Sequence, residues 1–247
     1  MKKIILSAIV LASISLTSCK DDDDKKTDEG TVDISKMYLP LKMVADDYTT
    51  NFTYNNKGQV TKIVESDGFE YSFKYNDNQL VEVVEIDTST STASTTTYTY
   101  KQNGNTITLN SVYEYNGSKN EDSETLTLDA KGNLIDDEYF TYSYDANGNI
   151  TQMANKYGEK ATFTYDAKNG VFKNLNLPKW VTSYIIDYKP NMVNNAVTIK
   201  FESEEDPEDN DSGTIKYDYN ADGYPVKMIV DSVVEGNFTQ TIEYTKK

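Results

Sequence analysis

No histidine and no arginine occur anywhere in the 247 residues, and cysteine appears once, at Cys19. Without imidazole there is no Ser-His-Asp or Cys-His machinery and no histidine metal ligand, and without guanidinium there is no bidentate clamp for phosphate or carboxylate. A lone cysteine closes no disulfide within the chain, so stability rests on packing. Positive charge is also scarce: 24 basic groups, all lysine, face 40 acidic ones, and the formal net charge of −16 repels nucleic acid and anionic lipid head groups. Long apolar runs are missing apart from residues 4–16.

That run follows Lys2 and Lys3 and ends at Leu16-Thr17-Ser18-Cys19. It is shorter than the ~20 residues a permanent membrane helix needs and a charged stretch follows at once, so residues 1–18 read as a cleaved signal peptide. The Leu16-Thr17-Ser18-Cys19 ending resembles the bacterial lipobox, which implies cleavage before Cys19 and a membrane anchor through fatty acids on that residue. Lys20-Asp21-Asp22-Asp23-Asp24-Lys25-Lys26 and the polar residues after it cannot bury apolar surface, which makes 19–37 an extended acidic tether. The acidic block resembles the surface-export signal of Bacteroidetes-type lipoproteins and so implies the outer membrane, facing the cell exterior. A plain solvated spacer is the alternative for the same residues.

Residues 38–247 read as a single β domain built on a repeat. The unit is an aromatic strand end, then Asn or Asp, two residues and Gly. Phe52-Thr53-Tyr54-Asn55-Asn56-Lys57-Gly58 and Tyr142-Ser143-Tyr144-Asp145-Ala146-Asn147-Gly148 are the clearest copies, and Tyr217–Gly223 and Leu126–Gly132 share the frame. Tyr98-Thr99-Tyr100 with Gly104 is a looser copy, while Phe73–Asn76 and Phe163–Asp166 keep only the strand half. Asn or Asp accepts hydrogen bonds from the backbone ahead, and Gly takes the left-handed position that closes a bulged hairpin. Along the strands aromatic residues alternate with Thr, Ser, Asn, Lys and Glu, giving one buried and one wet face. The expected fold is all-β: an antiparallel meander of about 12 to 14 short strands closing into a soluble barrel or a two-layer sheet.

Tyr144-Asp145-Ala146-Asn147-Gly148-Asn149-Ile150 resembles the YD repeat of Rhs-type proteins, and the chain as a whole resembles uncharacterised Bacteroidetes-type lipoproteins with a porin-like β fold. The resemblance implies architecture more than activity, because true Rhs shells carry many more repeats and enclose a toxin. Most strands here have five to seven residues by the repeat, too few for the ~9 to 11 of an outer-membrane strand, and a lipid anchor would be redundant on a spanning barrel.

One segment leaves the repeat. Trp180, Val181, Tyr184 and Ile185 fall at helical spacing behind Pro178, predicting one short helix near 178–187. Trp180 then either plugs one end of the barrel or joins Tyr184 and Tyr188 in a ligand-binding platform. The acidic stretch 202–211 lacks the ligand spacing of a calcium loop. Carboxylate pairs such as Asp136 and Asp137 meet the minimum for glycoside hydrolysis, but forty acids make such pairs trivial. No catalytic residue, metal ligand or cofactor is therefore assigned. The expected function is a non-enzymatic surface module for an extracellular glycan or an envelope partner, with a ligand-free envelope scaffold and a carboxylate-dependent glycoside hydrolase as alternatives.

Overall fold

The computed structural model describes residues 37–186, 193–234 and 236–245. Cys19, the signal and tether segments, and Tyr188 lie outside the described residues. Sixteen antiparallel strands follow one another around a closed barrel. They are β1 (Pro40–Ala45), β2 (Tyr48–Tyr54), β3 (Val60–Glu65), β4 (Phe69–Asn76), β5 (Gln79–Asp87), β6 (Ser94–Asn103), β7 (Thr106–Tyr115) and β8 (Ser118–Leu128), then β9 (Leu134–Asp136), β10 (Thr141–Tyr144), β11 (Ile150–Ala154), β12 (Lys160–Tyr165), β13 (Ala196–Glu202), β14 (Asp211–Tyr219), β15 (Pro225–Ser232) and β16 (Gly236–Tyr244). Every strand pairs with its chain neighbours, and β1 pairs with β16 to close the sheet, so no edge is left for aggregation. The strands outnumber the expected 12 to 14 because polar stretches also pair: Ser118–Ser123 of β8 is exposed throughout and carries no apolar alternation, yet it is in register with β7 from end to end.

Five corners share one set of hydrogen bonds. In Asp145–Asn149 the Asp145 amide donates to the Asn149 carbonyl at 2.9 Å, and Asp145 Oδ1 accepts from the amides of Asn147 and Asn149, each at 2.9 Å. The same three bonds recur at Asn55–Gln59, Asp129–Asn133, Asn155–Glu159 and Asn220–Tyr224. Gly148 sits at φ 95°, where a side chain is strained, which is why the fourth corner position is glycine.

Tyrosines at or near the strand ends have a second task. Tyr54, Tyr144, Tyr165, Tyr217 and Tyr244 turn their rings inward and donate their hydroxyls to the carbonyls of Pro40, Leu134, Ile150, Ala196 and Pro225, at 2.6 to 2.9 Å. Tyr100 does the same to Leu80 at 2.6 Å. Six of the twenty tyrosines serve this repeated cap, each giving an aromatic body to the core and one hydroxyl to a backbone carbonyl.

Inward rows bury Met43, Phe52, Ile63, Phe73, Val83, Leu109, Leu126, Met153, Ile199 and Val230 in a single cluster. Outward rows carry Thr, Lys and Glu, with the Lys62–Glu70 pair at 2.7 Å linking β3 to β4 and the Lys200–Glu202 pair at 2.6 Å running along β13. Such exposed pairs contribute little stability, but they place charge where a spanning barrel presents an apolar belt to lipid. Among the described residues, no helix is long and apolar enough to cross a membrane.

Candidate functional site

The connections alternate between two ends of the barrel, and the ends differ in chemistry. One end is sealed. It gathers four of the five corners and the long β12–β13 connection, which folds back into the lumen as a plug. Val171, Phe172, Leu175, Leu177, Trp180, Val181, Ile185 and Ile186 of that connection are all buried. Phe172 is fully covered and packs on Phe52 with centroids 5.3 Å apart. Burying such a side chain stabilises by about 1.5–3 kcal/mol.

The expected short helix is one π-helical turn, Val181–Ile185. Lys179 holds its start to the wall: Nζ donates to Asn133 Oδ1 at 2.6 Å and to the Lys131 carbonyl at 3.0 Å. Burial lowers the Lys179 pKa, with Asp129 pulling it back up.

Of the three residues expected to bind ligand, Trp180 is 3% exposed and meets Tyr100 of the β6 wall edge-on at 4.8 Å, which leaves no ring face open to solvent. Tyr184 is half-buried and donates its hydroxyl to Glu124. Burial and then that carboxylate push its phenol well above the ordinary value. Tyr188 is outside the described residues, and the other two do not form a shared exposed face. The paired acids serve the β9–β10 turn. Asp137 is buried, its Oδ1 accepts from the amides of Tyr139 and Phe140 at 3.1 and 2.6 Å, and its Oδ2 accepts the Tyr142 hydroxyl at 2.6 Å. Asp136 Oδ1 caps the Glu138 amide at 2.8 Å. Among the described residues no group of three or more Asp, Glu, His or Cys is placed to hold a metal ion.

The other end, the rim, is where apolar surface faces water. Tyr113, Tyr115, Tyr139, Tyr157, Val233 and Val234 all lie on its turns or strand tips, leaving only Leu41 and Val226 among the exposed large hydrophobics of the described residues. Two of these rings flank a cleft of about 340 Å³ lined by Tyr139, Tyr157, Glu159, Ser203, Glu205 and Asp206. Tyr139 and Tyr157 are 51% and 44% exposed, with centroids 5.8 Å apart and planes 35° from parallel.

Each wall of the cleft has a local cause. Glu138 adopts φ 70°, an uncommon backbone state for a long side chain, and this tight turn lifts Tyr139 out of the barrel. Phe140 supports the Tyr139 ring edge-on at 4.8 Å. Tyr157 stands at the third position of the Asn155–Glu159 corner, the one copy of the corner at the rim. Glu159, at the fifth position, accepts both the Asn155 side-chain amide and, at 3.0 Å, the Tyr139 hydroxyl, which ties the two turns together. Partial desolvation, followed by that acceptor, raises the Tyr139 phenol. The far wall is the β13–β14 loop, whose Glu204 amide donates to the Gly158 carbonyl at 3.3 Å. A Cβ on Gly158 would lie 2.7 Å from Glu204 Cβ, so glycine is needed both for its φ of 83° and for this approach.

Asn155-Lys156-Tyr157-Gly158-Glu159 is hard to recognise in the sequence because Ala154 precedes it, where the other copies carry Tyr or Leu. The available signal was the residue at the third position: Lys57, Lys131, Asn147 and Asp222 elsewhere, but Tyr157 here. Two exposed rings with hydrogen-bonding carboxylates between them suit a ligand that has both a flat apolar face and polar edges.

No family model matches the chain, and no curated protein matches it. Solved structures similar to it include a porin-like protein from Bacteroides vulgatus ATCC 8482, 13% identical with a TM-score of 0.47, where the match covers 84% of this chain and 99% of that one. A porin-like protein from Bacteroides uniformis ATCC 8492 is also 13% identical, with a TM-score of 0.39 over 84% of this chain and 96% of that one.

Proposed function

We propose that this protein is a non-enzymatic surface lipoprotein that holds an extracellular glycan in the rim cleft, with Cys19 as its membrane anchor. The observation that carries the reading is the exposed Tyr139–Tyr157 pair over Glu159: pyranose rings offer C–H faces for the aromatic rings and hydroxyls for the carboxylates. The polarity of the barrel supports it. The chain enters β1 at the plugged end, where the Thr245 amide donates to the Leu39 carbonyl at 2.8 Å. A tether running from that end to an outer-membrane anchor leaves the rim pointing away from the membrane.

A glycan array probed with the wild type and with Tyr157→Ala tests the proposal: retention of at least one glycan class by the wild type alone supports it, and uniform lack of retention removes it. The scaffold reading draws on a different feature, the β7–β8 tip, where Tyr113 and Tyr115 are exposed with near-parallel rings 6.5 Å apart. Crosslinking on intact cells separates the two readings, since a scaffold recovers one stoichiometric protein partner and a glycan module does not.

A further inference from the structure

The cleft is unbalanced in charge. Glu159, Glu205 and Asp206 line it, and no lysine does. Only Glu159 is engaged, and through Oε2 alone; Oε1 accepts no hydrogen bond, and the carboxylates of Glu205 and Asp206 have neither a hydrogen bond nor an ion pair among the described residues. Nearby Glu204, Glu208 and Asp209 add further negative charge in a chain whose formal net charge is already −16. A neutral sugar would leave these charges uncompensated. The aromatic wall points the same way, because ring faces attract cations through their quadrupole. One ammonium already uses it: Lys156 Nζ lies 5.1 Å from the Tyr157 centroid.

From this pairing of ring faces with unpaired carboxylates, we propose that the glycan bound in the cleft carries a free amine, with its ammonium against the Tyr157 and Tyr139 rings and paired with Glu205 and Asp206. The inference rests on the glycan reading above and narrows its ligand class to amino sugars that are not N-acetylated. Lys156 is then a competitor: its ammonium occupies the outer part of the wall that the ligand's amine would use.

The test is calorimetric titration of the full mature protein with a fully deacetylated glucosamine oligosaccharide and with its N-acetylated counterpart of equal length. The expected result is binding of the free amine about tenfold tighter than of the amide. Lys156→Ala should tighten the free-amine interaction about threefold, while Glu205→Gln should weaken it by a similar factor. Both positions are exposed and cap no turn, so neither change threatens folding. Tyr157→Ala should abolish the difference between the two sugars.

Equal affinity for the two oligosaccharides overturns the amine inference and leaves the glycan reading standing. Failure of both to bind, together with an empty glycan array, overturns both. Free-amine binding that survives Tyr157→Ala unchanged assigns it to general attraction between a polycation and an acidic protein, and also overturns the inference.

Discussion

Asp166 and Asn195, 29 positions apart, make the hydrogen bonds that Asp145 and Asn149 make across a five-residue corner. The Asp166 amide donates to the Asn195 carbonyl at 3.0 Å, the Asn195 amide returns to Asp166 Oδ1 at 3.1 Å, and the Asn195 side-chain amide reaches Asp166 Oδ2 at 3.3 Å. The plug is thus an expansion of an ordinary corner, closed at its neck by the same Asp–Asn pair. Asp166 also accepts the Tyr219 hydroxyl, which ties the neck to the next hairpin.

Asp166→Ala keeps the backbone bond but removes the carboxylate's bonds while leaving Asn195 buried, and it should cost about 1–3 kcal/mol. Trp180 is the sole tryptophan and sits in the plug, so its fluorescence reports this region directly. The wild type should show blue-shifted emission that is poorly quenched by iodide. In the variant, quenching should rise at temperatures where far-ultraviolet circular dichroism still shows an intact sheet.

Two tyrosines separate the capping role from simple burial. Tyr144→Phe leaves the Leu134 carbonyl without its 2.7 Å partner and should destabilise by about 1–2 kcal/mol. Tyr75, by contrast, buries its hydroxyl with no hydrogen-bond partner among the described residues. Tyr75→Phe should therefore change stability by less than about 0.5 kcal/mol, or increase it. Denaturant midpoints of the two variants, compared at equal slope, check the contrast.

The corners were legible because each asks for particular chemistry at fixed spacing: an Asn or Asp acceptor and a glycine at positive φ. The inward face was legible for a similar reason, since Phe69, Tyr71, Phe73 and Tyr75 alternate with polar residues on β4. β8 was harder to read because its rim half is exposed, leaving no apolar period to mark Ser118–Ser123. The spacing around Trp180 marked a break in the repeat but left both a buried plug and an exposed platform open, and the neck depends on a pairing across 29 residues that no local pattern encodes. The cleft at Tyr139 and Tyr157 joins three separate connections, so its geometry exists only once strands β9 to β14 have paired.

Alkaline pH should act through the capping phenols. Burial holds Tyr54 and Tyr165 well above the ordinary phenol value, with Tyr244 adding to the effect at the first and Asp145 at the second. A raised folded-state pKa means that the unfolded chain releases these protons first. Their contribution is therefore complete below about pH 10 and declines as pH climbs above it. A pH titration followed by phenolate absorbance and circular dichroism together should show the exposed tyrosines ionising first. The buried set should then ionise in one cooperative step as the sheet is lost.

Glu138 carries the strain of the β9–β10 turn at φ 70°. A left-handed residue with a side chain costs about 1–2 kcal/mol, and glycine returns about 0.5–1 of that through unfolded-state entropy. Glu138→Gly should raise thermal stability by about 0.5–1 kcal/mol. If Tyr139 is held by this turn, the same variant should weaken glycan binding, and calorimetry of both properties reads the trade directly.

Glycan capture at the rim is tested most directly by affinity electrophoresis of the Tyr139→Ala/Tyr157→Ala double variant through gels containing the array-selected glycan, run beside the wild type at matched thermal midpoint. The wild type should be retarded and the double variant should migrate as it does without glycan. Equal retardation of the two proteins would contradict capture at the rim.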